Sequence, residues 1–297
     1  MYERLIADQG DDQTAITFDP APVTALPNVE SGAAGRNSIV ASPYTRYLTP
    51  NFKSKVMSNA KAREALALAA DRSAYVTASG GSLVAVPTNS LINPALPAFP
   101  NTPLPAGDKG DQAKAKQMLQ DAGFTLPVKI TVAYRNSETQ DKVFSGLKTA
   151  WDAAGFDTQL DGFSANYFPT IQSPASATKY DAMWANWGAD YPSASTDIPP
   201  LLDSRINITA GGSGQDYGYF DNADFNKAID ATNLIADQTA REKAWGDLDT
   251  QAVTKYFAVI PLIVDKFVFV HGSKVVGAFV NGAYTGYYDP ATVSIKS

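Results

Sequence analysis

The sequence predicts an α/β fold, and three observations carry that expectation. Helix-favouring stretches alternate with short β-branched stretches between residues 111 and 163. Twice, at 122–124 and 154–156, a helix ends in Ala-Gly-Phe and hands over to a strand. The chain also returns near its end as an apolar, strand-like run, VIPLIVDKFVFV (259–270). Strand–helix–strand connections of this kind cross right-handed, with helices packed on the sheet. The two Ala-Gly-Phe pieces are recurrent caps, not a sequence repeat.

Residues 1–50 read as loop-rich, with ALPNVESGAAG (25–35) the clearest irregular stretch. SIVASPYTRYLTPN (38–51) is extended, by its β-branched and aromatic residues before a turn. NAKAREALALAADRSAY (59–75) is predicted as one helix, with Leu66, Ala69 and Ala70 on a common apolar face. The Pro- and Asn-rich stretch 84–110 precludes a long helix and reads as an ordered surface loop. DQAKAKQMLQDAGF (111–124) is an amphipathic helix stopped by Gly123, and PVKITVAYRN (127–136) a strand. The next helix, 137–156, opens with Ser137 and Gln140 at capping-box spacing and closes at Gly155, where a left-handed residue is cheapest for glycine.

FDTQLDGF (156–163) is the following strand, and KYDAMWANWGAD (179–190) another, with Trp184 and Trp187 on opposite faces. The connection 191–220, with three prolines and a Gly-Gly-Ser-Gly tip, exceeds ordinary loop lengths and is expected to be functional or partly helical. Helices at 222–237 and 239–253 follow, the second with Thr239 and Glu242 at capping-box spacing. In the closing run, Pro261 and Asp265-Lys266 break the apolar pattern, so it reads as core strands rather than a membrane span.

At 297 residues the chain is long enough for two lobes. A net charge of -6 and a pI near 4.8 disfavour nucleic acid, since nothing would neutralise a phosphate backbone. Runs of Lys or Arg that would mark a membrane-surface patch are absent. The lack of any cysteine excludes disulfides, thiolate metal sites and cysteine nucleophiles. His271, the single histidine, follows an apolar run and reads as structural, because a His site normally needs partners. MYERLIADQG lacks the basic start, apolar stretch and cleavage site of a signal peptide, and no lipidation cysteine is present.

No GxSxG, P-loop, HExxH or GxGxxG motif occurs, so no catalytic residue, metal or cofactor is assigned. Asp216, Asp221 and Asp224 do not match an EF-hand loop, and acidic residues before a helix start are common for capping. The stretch with functional content is NWGADYPSAST (186–196). On composition alone it is a strand end with a turn-forming Asp and a core Trp. Its functional reading places Asp190 where the strands of an α/β lobe open into a crevice. A carboxylate there, walled by Trp187 and Tyr191, suits a cation such as a peptide's terminal ammonium.

The chain resembles the C-terminal portion of the extracellular solute-binding proteins of family 5, the peptide-binding components of ABC importers. The resemblance rests on AKAREALALAADRSAY, PTNSLINPALP, KAKQMLQDAGF, KYDAMWANWGADYPSAST and SKVVGAFVNGAYTGYYDPATVSIK, in the family's order. It implies a periplasmic-binding-protein-like α/β fold (type II, cluster C). A distal ligand-binding lobe would occupy 45–262, with fragments of the proximal lobe at 1–44 and 263–297. It implies Asp190 as the ammonium anchor, Trp187 and Tyr191 as pocket walls, and Asn186, Gly188 and Ala189 as backbone contributors to an added β-strand. Implied partners are a peptide or other small solute and the permease subunits; a monomer is expected, in the periplasm or on the cell surface. Relatives in this fold also take sugars or nickel complexes. Family members are longer, so much of one jaw of the cleft is expected to lie outside this chain. A carboxylate-dependent hydrolase is the rival from another class, and the lack of a second acid beside Asp190 speaks against it.

Overall fold

The computed structural model describes residues 1–282 and 286–296. Ala283–Thr285, inside the segment expected to return through the proximal lobe, lie outside the described residues, as does Ser297. Two short helices open the chain, α1 (Tyr2–Ala7) and α2 (Leu26–Gly32). The second overturns the irregular reading of 25–35. Pro27 falls in its first turn, where a missing N–H costs nothing, and Leu26 and Val29 bury against Leu5, Val268 and Val270. Tertiary burial holds a helix that local composition disfavours.

β1 (Asn37–Pro50) is followed by α3 (Ala60–Ala69) and α4 (Arg72–Ser79). The single helix expected over 59–75 is therefore two. Ala70 is extended, and Asp71 caps α4 with its Oδ1 accepting from the Ala74 N–H at 2.8 Å. The break lets fully buried Arg72 donate Nε to the Pro261 carbonyl at 2.9 Å. The Pro-rich stretch is irregular apart from β2 (Ala85–Pro87).

α5 (Gln112–Asp121), β3 (Val128–Arg135), α6 (Glu138–Ala153) and β4 (Phe156–Phe163) agree with the sequence reading. Ser137 Oγ accepts from the Gln140 N–H at 3.2 Å, and Gly155 sits at φ +90°. Next come α7 (Tyr167–Gln172) and β5 (Ala182–Gly188). The long connection is partly helical, with α8 (Ile198–Leu202) and α9 (Ser204–Asn207). α10 (Ala223–Asn233) and α11 (Gln238–Gln251) follow. The cap of α11 is Asp237, which accepts from the Ala240 N–H at 2.7 Å, and not Thr239. An Asp two residues earlier competes better for the orphan donors. That shift frees Glu242 from capping and leaves it buried.

β6 (Ile260–Val270) is one strand rather than several. It carries Pro261 at its second position and passes through Asp265, which pairs with Arg46 at 2.8 Å. β7 (Val275–Val276) and β8 (Ser294–Ile295) form a separate ladder. His271 has a structural setting: its backbone bridges Ile16 and its ring lies edge-on to Tyr288.

The main sheet has the order β2-β6-β1-β5-β3-β4. β1 runs antiparallel to both neighbours, whereas β3 runs parallel to β4 and β5. Buried apolar residues from Tyr47 to Ile263 make the main core. Two smaller clusters gather residues such as Leu5, Leu26 and Val270, and Phe269, Val280 and Tyr288. β1 and β6 run through main and minor cores alike, and their register shifts between Ala41 and Thr45 and again between Arg46 and Tyr47.

Candidate functional site

The β1–β5 ladder builds the site. Its antiparallel register sets Arg46 opposite Asn186, Thr45 opposite Trp187 and Tyr44 opposite Gly188. Gly188 eases a close approach there, because a Cβ would lie 3.0 Å from the Pro43 carbonyl oxygen and 3.0 Å from the Tyr44 ring. The Tyr44 ring thus lies beside Gly188, and it remains 41% exposed. Tyr44 went unnoticed in the sequence because only cross-strand register brings it here.

The other edge of β5 opens. Pairing with β3 covers only Ala182 and Met183. Beyond it, Tyr167 Oη is wedged between the strands, donating toward the Ala133 and Trp184 carbonyls. Trp184 O therefore faces β3, and by alternation so do the backbone groups of Asn186 and Gly188. No strand of the described residues pairs with them on that side.

Trp184 and Trp187 separate as alternation requires. Trp184 packs with Tyr167 and Phe168, with the Arg46 guanidinium 6.0 Å from its ring centre. Trp187 is half-buried, and its Nε1–H donates to the Thr196 carbonyl at 2.7 Å. Thr196 also accepts from the Asp190 N–H at 3.2 Å and donates to the Ser193 carbonyl at 3.0 Å. One threonine thus pins the 190–196 loop to the indole. Ala189 is buried, whereas the side chains of Asp190 and Tyr191 reach solvent. Replacing Trp187 by Phe keeps an aromatic wall and removes that donor. We expect Trp187→Phe to cost about 1 kcal/mol in urea unfolding, with the Thr196 carbonyl left to water.

Near the site the chain also buries a second acid. Asp197 is buried, and its carboxyl is pushed well above the usual range by burial, then by the charges of Asp249 and Asp190. It lies beneath the loop, at 3% exposure, rather than beside Asp190 at the surface. Asp216 is also buried and has its carboxyl raised to about 7 by burial. Asp221 accepts from the Ser204 hydroxyl at 2.8 Å. Among the described residues no group of three acids or histidines converges as a metal site.

Residues 7–208 match the family model described as bacterial extracellular solute-binding proteins, family 5 Middle. The chain belongs to that family. It is similar to the periplasmic oligopeptide-binding protein OppA of Salmonella typhimurium, at 26% identity over 269 residues, which covers 84% of this chain and 44% of the relative. The glutathione-binding protein GsiB of Shigella dysenteriae matches at 25% over 249 residues, covering 82% and 47%. The chain spans less than half the length of these curated relatives. Among solved structures, the clavulanic acid biosynthesis oligopeptide binding protein 2 superposes with a TM-score of 0.86 at 21% identity. That match covers 100% of this chain and 54% of the other, and it shows the fold to be of the periplasmic-binding-protein type II class.

Proposed function

We propose that this chain supplies a peptide-binding surface of a solute-binding component of an ABC importer. The peptide adds as a strand along the open edge of β5, and Asp190 receives its terminal ammonium. The carrying observation is that edge: the backbone of Asn186 and Gly188 faces a gap no described strand fills, and an exposed carboxylate stands at its end. Main-chain pairing reads no side chain, which suits varied sequences. Trp187, Tyr191 and Tyr44 give aromatic surface around the anchor, and Ala189 links strand to loop. Two of its relatives bind an oligopeptide and glutathione, and such ligands carry a free amino group.

The distal lobe would be residues 45–262, closed against the flanking 1–44 and 263–297. The main core draws on residues 47 to 263 and the minor cores on the flanks, which supports that division. Of the two register shifts of β1 against β6, the one between Ala41 and Thr45 spans that boundary and the other follows it between Arg46 and Tyr47. The reading also places the molecule in the periplasm or at the cell surface, working as a monomer with permease subunits.

Titration calorimetry with a short peptide and its N-acetylated twin tests the anchor. The acetylated twin should bind measurably more weakly, by up to roughly fivefold, the upper end for an ion pair open to water. Equal affinities would remove Asp190 from that role.

A further inference from the structure

A basic cavity lies where β1 and β6 meet the start of α6. It encloses about 350 Å³ between Arg46, Lys266 and the first turn of that helix, with Val23, Val84 and Phe267 as apolar walls. Arg46 reaches it with a guanidinium only partly engaged. Asp265 accepts from Nε at 2.8 Å, a single contact where a fork of two is available. Tyr75, the other polar neighbour of the guanidinium, is a neutral hydroxyl that Gln140 Nε2 also reaches at 3.3 Å. The Arg46 side chain stays 29% exposed, so its Nη groups remain for a second anion. Lys266 Nζ donates to the Ser82 carbonyl at 2.8 Å, a neutral acceptor that leaves its charge unbalanced. The helix adds donors of its own. Ser137 Oγ holds the Gln140 N–H, and the N–H groups of Glu138 and Thr139 come too early for an intrahelical acceptor. The Glu138 carboxylate is drawn off to Lys142 at 2.8 Å.

We infer that this cavity binds a small organic monoanion, a carboxylate on a short apolar stem, with its head on the Arg46 Nη groups and its stem against Val84 and Phe267. Arg46 and Lys266 against Asp265 leave one net positive charge here, in a chain whose net charge is -6. A planar carboxylate fits the free side of a guanidinium, which pairs best with two oxygens at once. A doubly charged phosphate would set its second charge against the Asp265 carboxylate, with no further cation to balance it. The assignment stands whether or not a peptide adds along β5. A free carboxylic acid and the carboxyl end of a longer ligand present the same head, and competition separates them.

The test is an amide-resolved NMR titration of the whole chain with sodium butyrate, with butyramide at matched ionic strength as the uncharged twin. Butyrate should give saturable shifts at Val84, Thr139 and Phe267, and butyramide should not. Arg46→Gln, checked for folding by its melting curve, should weaken butyrate binding at least roughly tenfold. Arg46→Lys keeps the charge without the fork and should fall between. Equal response to butyramide, or no saturable shift with butyrate, overturns the inference without recourse to any variant. Undiminished binding by a folded Arg46→Gln overturns it too, by removing the head group's partner. A short peptide and its carboxy-amide then compete against bound butyrate. Competition by the acid form alone assigns the cavity to a peptide's carboxyl end, and competition by neither assigns it to a free acid; both uphold a carboxylate site. Equal competition by the amide would overturn it.

Discussion

Raising the pH from about 5 to about 8 is expected to destabilise the chain by several kcal/mol, and Asp249→Asn should abolish a large share of that loss. Asp249 lies on α11 with no exposure, its Oδ1 accepting from the Leu91 N–H at 2.9 Å and its Oδ2 without a partner among the described residues. Burial pushes its carboxyl up to about 7, despite the hydrogen bonds it receives from Ser90, Leu91 and Ile92. Asp216 is raised to about 7 for the same reason, and Asp197 stands well above its usual range.

In the unfolded chain these groups titrate near about 3.9. Between that value and 7 the folded chain holds more protons than the unfolded one, so stability falls as pH rises through this window. A carboxyl moved from about 3.9 to about 7 destabilises by on the order of 4 kcal/mol once both states are ionised. Asn is isosteric with the protonated acid and keeps the acceptor for Leu91. At pH 8 the melting midpoint of Asp249→Asn should rise by several degrees, at roughly 2–4 °C per kcal/mol, and at pH 5 it should barely change. Asp197 should also ionise more easily in that variant, since it loses a charged neighbour. A midpoint at pH 8 equal to or below that of the wild type would show that Asp249 is stabilised as an anion in the fold.

Trp151→Ala should be the most damaging single truncation in the main core. The indole is fully buried on α6, and its Nε1–H donates to the Leu66 carbonyl in α3 at 3.2 Å. It thus joins two helices and fills the space between them and the sheet. Removing it leaves a cavity that the packed core only partly closes, a cost of about 3–5 kcal/mol. The orphaned carbonyl adds about 1 kcal/mol. Trp151→Phe should lose much less, since most of the volume stays. Urea unfolding followed by circular dichroism separates the outcomes. The alanine variant should shift the midpoint strongly with an unchanged slope, because the surface exposed on unfolding is nearly the same. A shift no larger than that of the phenylalanine variant would mean the core collapses around the gap.

How far the sequence speaks can be read from particular elements. α6 and β4 were legible because Ser137 and Gly155 mark the helix ends and the strand begins at once after the second. α2 was not, because PNVESG is weakly helical by itself and gains its helix from burying Leu26 and Val29. The break at Ala70 was hidden for a related reason: AADRSAY continues the helical composition, and the constraint comes from Pro261, far along the chain. At the site, the Trp187–Asp190 spacing stood out, whereas Tyr44, Thr196 and Asp197 did not. Tyr44 joins through strand register and Asp197 through burial, and neither leaves a local pattern. Glu242 was misread as a capping residue, since Asp237, two residues before Thr239, caps α11.

By itself, then, the sequence determined the α/β alternation, the two ends of α6 and the acid at the end of β5. Those depend on hydrogen bonds and periodicities within a few residues of each other. Only the tertiary structure decided that β5 keeps an open edge, that Tyr44 lies beside Gly188, and that Glu242 is buried with one carboxylate oxygen unpaired. Each of these arises where segments distant in the chain meet, because register and desolvation are set by the sum of contacts across the fold rather than by any one stretch.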